Sequence, residues 1–215
     1  MIAMPTIFYR FLRWCPGILG LLLRQRLYRY RLGHCGRGVL IGRHVDLINS
    51  GRIALGDHVI VNDGARLDAG SSFGPETAID VAMGAFIGAE TILTAGPGRL
   101  TIGEGSNIGS RCMISAVGDV VLGHHALLAG YCTVGEVPGS PAAAADTGPQ
   151  APAGRSDKAP VVIGPGCWLG LRCQVTAGVR IGEGAIVGAH ALVTEPLPAF
   201  AIAVGRPAAI KRMRP

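Results

Sequence analysis

The sequence predicts an all-β chain coiled into a parallel β-helix of about seven coils, with a helical segment before it, one long loop within it and a short tail or helix after it. Three observations predict this: an aliphatic residue every six positions, a glycine directly after many of those aliphatics, and a small or β-branched residue four positions on. The 215 residues are 49% hydrophobic and 16% charged, which excludes a disordered chain. Glycine at 33 positions with only 5% aromatics points to many tight turns.

The first element, residues 1–37, carries seven arginines and no acid. The remainder holds thirteen basic against fourteen acidic residues, so the net charge of +6 resides in this segment and the body is not a nucleic-acid-binding domain. "FYRFLRWCPGILGLLLRQRLYRYRL" mixes Phe, Trp, Tyr and Leu with Arg. That composition suits a basic amphipathic helix lying on an anionic membrane surface. It equally suits a helical cap closing the end of the body and pointing Arg at water. Its longest apolar-plus-Gly run, Pro16 to Leu23, is too short to span a bilayer, which takes about 20 residues. Arg24 and Arg26 follow that run where a secretory signal would have a small-residue cleavage site. The expected place is the cytoplasm, with peripheral contact at the inner membrane left open. The six cysteines then read as reduced thiols, and none forms a CxxC pair.

The second element, residues 38–195, holds the repeat. Aliphatics recur at Leu55, Val61, Leu67; Val81, Ile87, Leu93; Ile102, Ile108, Ile114; Leu122, Leu128, Val134; and Ile163, Leu169, Val175, Ile181, Val187, Val193. With Val, Ile and Leu at roughly a quarter of the chain, the last unbroken six arise by chance on the order of once in 4,000 starting points. A period of six fits neither a helix nor an alternating strand. It fits a coil of three short strands, about 18 residues per turn, whose bare edges require stacking on the coils above and below. Extra residues between some triplets call for small bulges at corners. From Tyr131 to Pro160, "YCTVGEVPGSPAAAADTGPQAPAGRSDKAP" loses the period and is rich in Pro and Ala, so 135–162 leave the coil as a loop excursion. The third element is the C-terminal tail, 196–215.

The motif L/I/V-G-x-x-S/T/A/V-x resembles that of the hexapeptide-repeat acyltransferases, over roughly residues 36–210. Within them, "VGRPAAI" and "CPGILGLLLRQRLY" are similar to segments of sugar, capsule and exopolysaccharide O-acetyltransferases. The resemblance implies a left-handed helix, a homotrimer, acetyl-CoA as acyl donor, no metal, and a sugar hydroxyl of a polysaccharide or glycolipid intermediate as acceptor. It implies that acyl-CoA lies between subunits along the final coils, with Gly170 and Gly188 letting it approach backbone N–H groups. Arg206, Lys211 and Arg212 would meet its phosphates.

Acyl transfer to a hydroxyl needs a base, usually His. His44, His58, His125 and His190 sit three residues after a repeat aliphatic, where Gly64, Gly105, Gly166, Gly178 and Gly184 occur in other repeats. That position calls for a positive φ, which His tolerates better than most residues. His124 faces outward and is freer of structural duty. Cys112, Cys132, Cys167 and Cys173 occupy small inward positions and read as core. In the resembling acetyltransferases the catalytic His lies in the long loop, whereas no His occurs between Tyr131 and Cys167 here. His124, His125 and Glu136 are therefore the candidate bases. The alternative is a catalytically impaired β-helix with a binding or assembly role.

Overall fold

The computed structural model describes residues 11–70, 77–135 and 159–214. Strands of two to five residues recur in threes and build three sheets, of seven, nine and seven strands among the described residues. Sheet I begins with His34–Cys35 and ends with Arg180–Ile181; sheet II runs from Leu40–Ile41 to Ala209–Met213; sheet III runs from Asp46–Ile48 to Leu192–Val193. Neighbouring strands pair in parallel and in register, so that Leu100, Thr101 and Ile102 lie beside Val120, Val121 and Leu122 of the next coil. The first coil thus starts at His34. Strand continues through the tail: Ala201–Val204 extends sheet II in parallel, and Ala209–Met213 folds back on it antiparallel across a register shift.

The six-residue rule holds at every passage from sheet I to II and from II to III, because inward aliphatics alternate with a glycine-containing corner. Gly103 shows the constraint: a Cβ there would lie 2.5 Å from the backbone of Gly123 and His124 in the next coil. The extra residues anticipated at corners all collect at one edge, between sheets III and I. There Leu67 is followed by Val81 and Val134 by Ile163. An excursion at a single edge leaves the other two free to stack without interruption.

The repeat aliphatics fill the interior with 0–6% exposure. The small inward positions add a second ladder. Thr91 Oγ1 and Ser106 Oγ donate to the corner carbonyls of Gly109 and Gly123 in the next coil, each at 2.8 Å. Cys112, Cys132, Cys167 and Cys173 do the same through Sγ to Ala129, Gly170, Gly182 and Gly188, at 2.9–3.2 Å. Hydrogen bonding to Cys112 and Cys173, together with burial, raises Cys132 above the ordinary thiol range; burial also raises Cys167. These two thiols stay neutral in the core, as expected of small packing residues.

All four histidines of the turn position have left-handed backbone, with φ of 54–61°, as do the five glycines that share it. At the edge between sheets I and II the rings rest on the glycine of the coil before. A Cβ on Gly105 would lie 2.5 Å from His125 Nδ1, and one on Gly184 would lie 2.7 Å from the Phe200 ring. Gly105→Ala is expected to lower stability by about 1–3 kcal/mol, since φ is +63° there and the methyl meets a ring. Urea unfolding checks this, and in a His125→Gly background the steric share of the loss should vanish.

Residues 17–27 form a helix against the first coil, starting after Pro16, whose backbone is extended. Its Arg24 does not point at water. It is 2% exposed and donates to Ile41 O at 2.8 Å, Leu12 O at 3.1 Å and Cys15 O at 2.8 Å. The segment is a cap, clamped to the coil by one buried guanidinium. Among the described residues no helix is long and apolar enough to cross a membrane.

Candidate active site

The I–II edge positions both imidazoles proposed as bases. Gly123, His124 and His125 turn the fifth coil between Val120–Leu122 and Leu127–Leu128. The two rings are exposed and lie 5.5 Å apart, edge to face. They differ in duty: His125 supplies the left-handed residue and stacks back on Gly105, whereas His124 has ordinary backbone and projects from the turn. Neither ring has a hydrogen-bond partner among the described residues. Glu136 lies outside the described residues. The loop leaves after Gly135 at the III–I edge, so His124 and the loop root flank opposite sides of sheet I.

Gly170 and Gly188 sit at the other side of sheet II, on the II–III edge. Their N–H groups already donate within the ladder, to Val187 O and Ala203 O, both at 2.8 Å. Glycine is required there by stacking: a Cβ on Gly170 would lie 2.6 Å from Ala189 N, and one on Gly188 2.6 Å from Val204 Cγ1. The donors still open belong to the next residue in each turn. In the first coil that middle N–H is capped by a carboxylate of the following coil, Arg37 N by Asp57 and Arg43 N by Asp63, each at 2.7 Å, whereas at Ala89, Ser110 and Gly130 on the II–III edge it has no acceptor among the described residues. Leu171 and Ala189 hold the equivalent place, and their N–H groups have no acceptor among the described residues.

The same edge carries a feature that the repeat alone did not disclose. Its left-handed position is glycine only at Gly64, and Glu90, Arg111, Tyr131, Arg172 and His190 occupy it in successive coils at φ of 56–61°. Side chains other than Gly, Asn, Asp or His cost free energy in that region, so Glu90, Arg111, Tyr131 and Arg172 stand there at the expense of the backbone. Arg111 pairs with Glu90 at 2.8 Å and donates to Tyr131 Oη at 2.7 Å; Arg172 also lies over the Tyr131 ring, 5.3 Å from its centre. Arg172 has no ion-pair partner among the described residues. The sequence signal was there: in four consecutive coils the turn position of the alternate repeat, at 90, 111, 131 and 172, is neither Gly nor His.

Arg206, at the tip of the C-terminal hairpin, reaches sheet III and donates to Gln174 Oε1 at 2.9 Å. Lys211 and Arg212 are exposed on the final strand, Lys211 being the extra residue at the register shift. Within one chain the structure therefore groups Gly170, Gly188, Arg172 and Arg206 toward sheet III, and holds His124 and His125 a full strand away. Among the described residues, no three His, Cys, Asp or Glu side chains are placed to hold a metal ion.

Residues 160–195 match the family model of the bacterial transferase hexapeptide (six repeats), and residues 99–130 that of the hexapeptide repeat of succinyl-transferase. A probable acetyltransferase of Mycobacterium tuberculosis is 31% identical over 145 residues, 65% of this chain and 46% of its own length. A putative colanic acid biosynthesis acetyltransferase of Escherichia coli is 31% identical over 121 residues, 55% of this chain and 60% of its own length. The chain spans about half the length of the curated relatives it matches. Among solved structures, AntD, an N-acyltransferase from Bacillus cereus in complex with dTDP and 3-hydroxybutyryl-CoA, superimposes with a TM-score of 0.54 at 21% identity, covering 89% of this chain and 88% of that one. A variant of AntD with dTDP and coenzyme A reaches 0.58 at 22% identity, covering 89% of each chain. The six-residue period, the three stacked sheets and these matches show a left-handed parallel β-helix, and the chain is similar to hexapeptide-repeat transferases over residues 99–130 and 160–195.

Proposed function

We propose that the protein is an acyl-CoA-dependent O-acyltransferase, acetylating a sugar hydroxyl of a polysaccharide or glycolipid intermediate. The observation that carries this reading is the pair of open N–H donors at Leu171 and Ala189 on the final coils, beside cations at Arg172 and Arg206, in a chain related to acetyltransferases. Two such donors would polarise a thioester carbonyl and stabilise the charge that develops on its oxygen. The cations, with Lys211 and Arg212, would hold the phosphates of the donor. The acceptor hydroxyl gives its proton to the base as its oxygen attacks the carbonyl carbon; the C–S bond then breaks and coenzyme A leaves as the thiol after taking up a proton. His124 is the proposed base, with Glu136 as the second candidate and His125 as a turn residue.

The separation of His124 from the donors supports a homotrimer. Along the parallel strands of sheet II the outward residues are Leu40, Ile60, Phe86, Leu127, Trp168, Ile186 and Ile202, with Asn107 between Phe86 and Leu127; the antiparallel last strand adds Arg212 beside Ile202. Trp168 is 52% and Leu127 43% exposed, an apolar face that a β-helix alone does not bury. With these faces turned to a threefold axis, the I–II edge of one protomer lies against the II–III edge of the next. His124 then meets its neighbour's donors in the groove between them. Trp168→Glu is expected to convert a trimer to monomers in light scattering and to abolish turnover together with assembly.

Six free thiols suit a reducing cytoplasm, with residues 1–37 at the membrane face. The test is release of coenzyme A thiol on a panel of sugars and glycans, with calorimetric titration of acetyl-CoA. Absence of acetyl-CoA binding would overturn the reading. Binding without turnover on any acceptor would favour a non-catalytic role.

A further inference from the structure

The cap helix is apolar on the side it turns away from the coil. Within it Ile18 is 78% exposed, Leu19 67% and Leu22 55%, and Trp14, just before it, 60%, while Gly20 and Arg24 are buried. An amphipathic cap would show polar residues outward. This outer stripe runs on at helical spacing into Arg26 and Arg29, which line a groove of about 660 Å³ between the helix and the first coil, with Leu22, Gln25, His34 and Arg37. The one carboxylate lining it, Asp57, is held by Arg37 at 3.1 Å. Arg26 and Arg29 have no ion-pair partner among the described residues, and the chain has no acidic residue before Asp46.

We infer that this end of the β-helix is a docking surface for an anionic phospholipid membrane. Trp14, Ile18, Leu19 and Leu22 enter the interface, and the Arg26–Arg29 groove receives a phosphate headgroup. Charge selects this occupant over a second copy of the chain, since two such patches face to face would oppose Arg to Arg. Side-by-side packing of protomers would turn all their caps the same way, adding contacts on one surface. The inference deepens the membrane part of the proposed function, and vesicle binding is read without acyl donor, so its outcome is separate from that of the acyl-transfer reading.

The test is co-sedimentation of the full chain with phosphatidylcholine vesicles, with and without one part in four phosphatidylglycerol. Anionic vesicles are expected to bind at least about tenfold more tightly, with the preference reduced in high salt. Arg26→Glu with Arg29→Glu should remove that preference, and Ile18→Ser with Leu19→Ser and Leu22→Ser should weaken binding about tenfold or more. Circular dichroism monitors the fold; should the serine variant unfold, the charge variant and the salt dependence still decide. Equal or absent binding to both vesicles overturns the inference. So does a concentration-dependent self-association lost in the serine variant without vesicle binding, or binding gained only when residues 1–10 are deleted.

Discussion

His124→Ala is expected to lower kcat/KM for acyl transfer by about a hundredfold to ten-thousandfold, the usual loss when a positioned base is removed. The affinity for acetyl-CoA in calorimetry should stay within about twofold, because the donor groove is built from the II–III edge. His125→Gly is the matching control: glycine adopts the left-handed turn freely, so both turnover and stability should change little. The two rings lie 5.5 Å apart and both are exposed to solvent, so a difference in effect isolates role from location. Should His124→Ala retain full turnover while Glu136→Gln loses it, the base is Glu136 and the excursion itself carries the chemistry.

Arg24→Ala is expected to destabilise the protein by about 3–5 kcal/mol in urea unfolding. The substitution strips the donors from three carbonyls, Ile41 O, Leu12 O and Cys15 O, and leaves a void where the guanidinium was. A buried acceptor without a partner costs about 1–3 kcal/mol, and the void adds to that. Arg24→Met fills much of the space without restoring donors and should recover only the smaller part. Limited trypsin digestion should then cut at Arg26, near the end of the helix, or at Arg29, just after it, well before the β-helix is attacked. A loss below about 1 kcal/mol would mean that the segment is held by its apolar contacts rather than by the clamp.

Much of this architecture was legible because the constraint is local and repeated. A coil that must stack on itself admits one inward aliphatic and one small residue per side, so the period, the glycine corners and the left-handed histidines all appear as spacing. The core thiols were legible for the same reason, although their hydrogen bonds to the next coil's carbonyls were not. The fate of Arg24 was less so: an arginine in an apolar helix reads as exposed, as Arg26 is, until its three carbonyl partners, from residues 12, 15 and 41, are brought together. Gly170 and Gly188 were readable as corners, but which N–H in each turn remains open depends on what the following coil places above it. Asp57 and Asp63 close two such turns; Ala189 leaves that of Leu171 open.

By itself, then, the sequence determined the coil, its small and large inward positions, the turn residues and the place of the excursion, since each follows from stacking identical units six residues apart. Only the tertiary structure decided which edge each residue occupies. Position within a repeat is a local property, whereas the distance between edges is set by the width of a sheet. That width puts His124 a full strand from the donors at Leu171 and Ala189, and so makes the candidate site a matter of how separate protomers meet.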